Sequence, residues 1–214
     1  MGEPIIIYGK SGSGKSRSLK GFGEDEIFLI NVMSKRLPFR NSFKYVLKSR
    51  NYSTIQQKLE KMPCKTAVID DAGYLQTSTF MAGHANPKSG SSTFDLFNQI
   101  SDDFWKLVLF VKEKLPDDVL VYFMMHEISN DSGEVKIRTI GKLLDEKVCL
   151  EGMVTICLHC LTDGQRHYFR TQGGMMDIAK SPEDMFPIEI DNDLKMVDQT
   201  IREYWNLGGQ HNDQ

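Results

Sequence analysis

The sequence predicts an α/β fold of three layers, with helices on both faces of a mainly parallel central sheet. Three observations carry this reading. Short β-branched runs alternate with segments of helical period. A glycine-rich loop sits between the first such run and a helix start. The run from Val119 to Met125 is almost continuously apolar, as a strand covered on both faces must be.

The elements follow in order. Ile5 to Tyr8 is the first strand, closed by Gly9, and a helix is expected from about Lys15. Ile27 to Val32 is a second buried strand. The segment through Pro38 to Arg50 reads as loop plus a short helix, and Ser53 to Lys61 as another helix stopped before Pro63. Thr66 to Ile69 is a third strand, ended by Asp70 and Asp71. A loop holding Gly83, Pro87 and Gly90 leads to a long helix from about Phe94 to Leu115, whose Phe97, Ile100, Phe104, Leu107, Val108 and Val111 share one face; Pro116 stops it. After the Val119 to Met125 strand, Val135 to Ile140 alternates like an exposed arm, and Leu143 to Val148 reads as helical. Met153 to Leu158 and His167 to Thr171 are strands joined by a turn at Asp163 and Gly164. The loop from Gly173 to Pro187 precedes a helix from Leu194 to Tyr204, capped by Asp191 or Asp193. One domain over 1–214 is expected, with a C-terminal helical tail from about residue 191.

The apolar runs are far shorter than the roughly 20 residues that span a bilayer, and the first strand follows the N-terminus without a basic flank and signal-type core. No membrane association is expected, and a cytoplasmic location is. Cys64, Cys149, Cys157 and Cys160 form no regular framework, so reduced thiols are expected. A formal net charge of -3 argues against an overall basic nucleic-acid binder. The charge is uneven, however. Between Ile27 and Leu59 there is no acid, while Lys35, Arg36, Arg40, Lys44, Lys48, Arg50 and Lys58 are all basic. The stretch from Lys35 to Arg50 is interleaved with Phe39, Phe43 and Tyr45, a mixture that suits a single-stranded nucleic acid, although the aromatics equally suit anchors to the sheet.

Gly9, Lys10, Ser11, Gly12, Ser13, Gly14, Lys15 and Ser16 match the phosphate-loop pattern G-x-x-x-x-G-K-[ST] in its strand-to-helix setting. Glycines let successive N–H groups turn toward phosphate oxygens. Lys15 is expected to reach the β and γ phosphates of ATP, with Arg17 counted among the nucleotide-binding residues, and the Ser16 hydroxyl to ligate Mg²⁺ together with Asp70. Asp71 is the candidate base for the attacking water. If the Val119 to Met125 strand lies between the strands of the loop and of Asp70, its end faces the γ phosphate, making His126 a candidate sensor and Glu127 an alternative base. An added cation could meet the developing charge, from Lys136, Arg138, Lys142, Arg170 or, foremost, Lys180 in the polar loop after Arg170. Lys88 to Ser92 form a polar loop that could touch a nucleic-acid strand. Cys157, His159, Cys160 and His167 have permissive zinc spacing, but strand alternation turns neighbours to opposite faces, so convergence is not expected.

The loop, Ala67-Val68-Ile69-Asp70-Asp71, Thr139-Ile140-Gly141-Lys142-Leu143-Leu144, and the tail Ala179 to Phe186 with Ile190 to Leu194 together resemble phage-encoded RecA-like P-loop ATPases, often labelled AAA-type ATP-binding proteins, over nearly the whole chain. The resemblance implies a RecA-type core that binds ATP and Mg²⁺ and assembles as a homo-oligomer through adjacent cores. It also implies work on single-stranded DNA in recombination or annealing, alongside a phage single-strand-binding protein in the host cytoplasm. No extra N-terminal assembly domain of the familiar RecA pattern is evident. The same loop serves small-molecule or nucleotide kinases, and nucleotide-dependent helicase loaders or packaging adaptors. Acceptor-dependent phosphate transfer marks the first, and ATP-dependent capture of a protein partner without turnover the second.

Overall fold

A computed structural model describes residues 1–84, 91–141 and 143–208. Its strands are β1 (Glu3–Gly9), β2 (Ile27–Asn31), β3 (Tyr45–Leu47), β4 (Thr66–Asp70), β5 (Leu120–Ser129), β6 (Val135–Ile137), β7 (Ile156–Thr162), β8 (His167–Arg170) and β9 (Glu189–Asp191). The α-helices are α1 (Tyr52–Leu59), α2 (Gly73–Gly83), α3 (Ser91–Lys114) and α4 (Leu194–Tyr204), with 3-10 turns over Ser16–Gly21 and Leu150–Met153 and a π-helical turn over Leu143–Val148.

The sheet runs β3-β2-β4-β5-β1-β7-β8-β9, and β6 pairs with the end of β5. From β3 to β7 every neighbour is parallel, while β6, β8 and β9 are antiparallel additions at the margins. β5 therefore lies between β1 and β4, the condition under which its C-terminal end falls beside the phosphate loop and Asp70. In register, Gly9 stands opposite His126 and Asn31 opposite Asp70.

Side-chain parity along the strands divides the core into two layers. On one face Ile6, Tyr8, Ile69, Phe123 and Met125 pack against α1, α2 and α3 through Leu59, Leu75, Phe104, Leu107 and Val111. On the other, Ile7, Leu29, Val68, Met124 and Leu158 pack against Leu19 of the 3-10 turn and Leu194, Val197 and Ile201 of α4. The result is a three-layer α/β architecture with a mainly parallel sheet. Among the described residues no helix is long and apolar enough to cross a membrane.

Local chemistry explains the boundaries. The Asp193 carboxylate accepts from the backbone N–H of Lys195 at 3.0 Å and of Met196 at 3.3 Å, satisfying free donors at the start of α4. Asn51 caps α1 by accepting from the Thr54 N–H at 2.8 Å. Pro116 ends α3 and turns the chain into β5.

Four readings of the sequence differ from the structure. The short helix expected between Pro38 and Arg50 is instead a loop leading into β3, because Phe39 and Phe43 are held on the sheet and Lys44 donates its N–H to the Glu24 carbonyl at 2.7 Å. α2 was hidden in what reads as loop: Gly-Tyr-Leu-Gln-Thr-Ser-Thr shows no apolar stripe, and only Leu75 and Gln76 are buried. The buried Gln76 side chain accepts through Oε1 from the Ile140 N–H at 2.7 Å, a tertiary tie with no local signal. β9 was also missed, being three residues long and defined by its pairing with β8. The turn after the phosphate loop is 3-10 in place of α. Of the polar loop Lys88 to Ser92, residues 88–90 lie outside the described set, as does the candidate cation Lys142.

Candidate nucleotide site

The phosphate loop begins where β1 ends. A Cβ on Gly9 would overlap the Cys160 carbonyl of β7, so only glycine lets the chain leave the sheet there. Gly12 and Gly14 adopt φ of +82° and +109°, conformations that side-chain-bearing residues rarely accept. A Cβ on Gly14 would also lie 2.8 Å from His167 Nδ1, and His167 Nδ1 lies 2.7 Å from the Ser13 carbonyl, so β8 buttresses the outer side of the loop. The sequence marked His167 only as a permissive zinc ligand.

Inside this curl the Lys15 ammonium is buried and donates to the carbonyls of Gly9 at 2.7 Å and Lys10 at 2.8 Å. Burial lowers its pKa, against the pull of nearby groups that include Asp71 and Asp70. The Ser16 hydroxyl donates to Asp70 Oδ1 at 2.8 Å, joining residues 54 positions apart in the chain. Burial raises the Asp70 carboxyl, and the charge on Asp71 raises it further. Two adjacent buried carboxylates beside a hydroxyl suit a hard divalent cation such as Mg²⁺, which relieves that repulsion and prefers oxygen. Among the described residues no three His, Cys, Asp or Glu side chains form an all-protein cage. Mg²⁺ at a phosphate loop does not need one, because phosphate and water complete its shell.

Asp71 follows with φ of +61°, a left-handed conformation uncommon for aspartate, and its carbonyl accepts the Tyr74 N–H at 2.9 Å as α2 starts. The carboxylate is 3.4 Å from His126 Nε2 and forms an ion pair with Lys35. Burial alone would raise its pKa, but His126 and Lys35 outweigh that and hold it below the ordinary carboxylate value. His126 is set edge-on to the Tyr74 ring, with centroids 5.8 Å apart.

These groups surround a cavity of about 310 Å³, whose cationic lining is Lys15, Arg17, Lys35 and Arg36, with Asp70, Asp71, His126 and His167 completing it. Lys35 and Arg36, read from the sequence as nucleic-acid contacts, thus reach the phosphate site itself. They also line a second concavity of about 540 Å³ with Arg40 and Lys48. Lys44 is engaged elsewhere, with Glu24 at 2.8 Å. Phe39 and Phe43 meet edge to face and pack partly buried against the core, while Phe39 also lines the second concavity.

Other candidates stand apart in this chain. Glu127 has the opposite pleat parity to His126, and its Oε2 lies 2.7 Å from His159 Nε2. The other nitrogen, Nδ1, lies 2.7 Å from Asp177, which also accepts the Tyr8 hydroxyl. His159 stacks on Tyr8 with centroids 4.5 Å apart. The Lys180 backbone pairs with Cys157 near the start of β7, and Arg170 meets Asp177 and Glu189, each at 3.6 Å. Lys136 is 4.0 Å from Glu134. Arg138 donates its backbone N–H to the His126 carbonyl at 2.7 Å. Cys157 belongs to one core layer and Cys160 to the other, so the zinc-like quartet does not converge.

No protein-family model matches the chain. No curated protein sequence matches it either. Among solved structures, a KaiC-like protein from the hyperthermophilic archaeon Pyrococcus horikoshii OT3 aligns over 78% of this chain and 77% of its own, with a TM-score of 0.47 and 13% identity. A likeness at that level bears on neither the site residues nor the activity.

Proposed function

We propose that this protein is a Mg²⁺-dependent ATPase whose turnover is coupled to binding of single-stranded DNA. The observation that carries the reading is the Ser16 to Asp70 contact at 2.8 Å, formed beside a curled glycine loop and its buried lysine. Mg²⁺ held by Ser16 and Asp70 would offset negative charge developing on the phosphates. The loop N–H groups and Lys15 grip the triphosphate, Ser16 and Asp70 hold the metal, and Asp71 orients water toward the γ phosphate and accepts its proton as the bond to ADP breaks. His126 steadies the Asp71 carboxylate from the neighbouring strand. Arg36 supplies positive charge on the far wall in the same chain.

The concavity of Lys35, Arg36, Arg40 and Lys48 supports a polyanion partner, because it shares a wall with the phosphate cavity. Resemblance to phage RecA-like ATPases supports a place in phage recombination or replication. It also supports a homo-oligomer with nucleotide near the interface, and a phage single-strand-binding protein as partner. Turnover measured with and without oligothymidylate, alongside mass in each nucleotide state, tests the reading: phosphate release stimulated by DNA and nucleotide-dependent assembly are expected. Transfer to an added acceptor in place of water would establish a kinase instead, and negligible turnover with ATP-dependent capture of a protein would establish a loader or adaptor.

A further inference from the structure

Lys35 occupies two sites at once. Its side chain is 56% exposed, yet its ammonium reaches the Asp71 carboxylate, which is 6% exposed. The same residue lines both the phosphate cavity and the basic concavity beside it. Its backbone is fixed: the Asn31 side chain donates to the Lys35 carbonyl at 2.6 Å and accepts from the Lys35 N–H at 3.1 Å, after a left-handed Ser34 at φ +55°. Asn31 itself is buried at the end of β2, in register with Asp70. The anchor is therefore rigid, while the four-carbon side chain is free to swing between two anionic partners.

We infer that Lys35 is the coupling residue between the two cavities, masking Asp71 when the basic concavity is empty and leaving it for a DNA phosphate when a strand binds there. This rests on the ATPase reading above and supplies its regulation. With Lys35 on Asp71, one carboxylate oxygen is occupied and its negative charge is offset, so it holds the attacking water poorly. A phosphodiester beside Arg36, Arg40 and Lys48 offers Lys35 a second anion, and its departure frees Asp71 toward the phosphate cavity. The exchange moves one cation, forms one ion pair for the one it breaks, and needs no change of backbone.

The first test uses no nucleotide. Binding of a fluorescent oligothymidylate to the full chain is followed by anisotropy across a salt series. Asp71→Asn releases Lys35, so affinity rises several-fold, while Lys35→Gln makes the slope of log K against log salt shallower by about 0.7, one phosphate contact on a single strand. In the Lys35→Gln background the same Asp71→Asn change leaves affinity and slope unaltered. An equal gain in both backgrounds would mean that Asp71 acts only through its general field, and would overturn the inference. The second test is turnover. Lys35→Gln raises the rate without DNA several-fold and brings the stimulation ratio close to one, Lys35→Arg restores stimulation, and Arg40→Gln weakens DNA binding but keeps the ratio at saturating DNA. Normal stimulation in Lys35→Gln overturns the inference while leaving the ATPase reading intact. A wild-type chain that hydrolyses ATP but neither binds nor responds to DNA removes the DNA half of that reading, and the inference with it.

Discussion

Asp71 and Glu127 stand at the carboxyl ends of adjacent strands, and each meets a histidine, yet their surroundings are opposite. Asp71 opens to the phosphate cavity, with His126 on one side and the ammonium of a half-exposed lysine on the other. Glu127 closes a buried chain through His159 and Asp177 to Tyr8, on the face covered by α1, α2 and α3. What separates them is pleat parity and the residue each can reach. A carboxylate with an exchangeable cation can change partners during a cycle; one shared with a buried imidazole ties strands to a loop. The same residue class thus lines a cavity in one place and fixes architecture in the other.

The contrast breaks most readily at the carboxylates themselves. Asp71→Asn is expected to lower kcat by roughly 100-fold or more, as loss of a positioned base does, with little change in ATP affinity. Glu127→Gln is expected to keep turnover within a few-fold of wild type. If Glu127→Gln abolished single-turnover hydrolysis and Asp71→Asn did not, their roles would be exchanged.

The next largest effect lies in the buried chain. Replacing His159 with Gln removes the imidazole between Glu127 and Asp177, leaving Asp177 only Arg170 at 3.6 Å, and a loss of about 3 kcal/mol in denaturant unfolding is expected from the range for broken buried pairs. The pH dependence has two arms. Burial works against the His159 cation, but its hydrogen bonds to Asp177 and Glu127 raise its pKa above the ordinary value. Its stabilisation is therefore complete below the unfolded-state value near 6.5 and fades as pH climbs through the higher folded value. Asp177 behaves inversely: burial is outweighed by His159 and Tyr8, which bring it down to about 2, so its contribution is present above the unfolded value of 3.8 and is lost as pH falls toward 2. A melting-temperature profile across both arms checks this, and His159→Gln is expected to flatten the alkaline one.

A smaller effect is expected at the loop buttress. His167→Ala removes the group beside the Ser13 carbonyl and the ring that packs on Gly14, so KM for ATP is expected to rise by about fivefold, close to one hydrogen bond of roughly 1 kcal/mol, with kcat nearly unchanged. The smallest belongs to the surface: breaking the half-exposed Lys44 to Glu24 pair with Lys44→Ala is expected to shift stability by less than about 1 kcal/mol.

Much of the site was legible because its signals are local. Glycines at fixed spacing announce the loop, and an apolar run ending in Asp70 announces its partner. The alternation of apolar runs with helical segments also gave the layer order and most strands. What stayed hidden depends on contacts made across the chain. Lys35 reaches Asp71 only because β2 and β4 are neighbours and Asn31 holds its backbone, and no spacing rule encodes that. His167 reaches the loop only because β8 folds back along β7. Glu127 and His126 are adjacent in sequence, and it is the pleat that sends one into a buried network and the other to the phosphate cavity. α2 lacks an apolar stripe, so its helical pattern gave no warning of it.

The central claim is that the loop from Gly9 to Ser16 grips a triphosphate through Lys15. Calorimetric titration of Mg²⁺ and ATP into the wild-type chain and into Lys15→Ala tests it most directly. A loss of affinity of roughly 100-fold, about 2.7 kcal/mol, in the variant is expected; equal affinity in the two, with the variant still folded by circular dichroism, would contradict it.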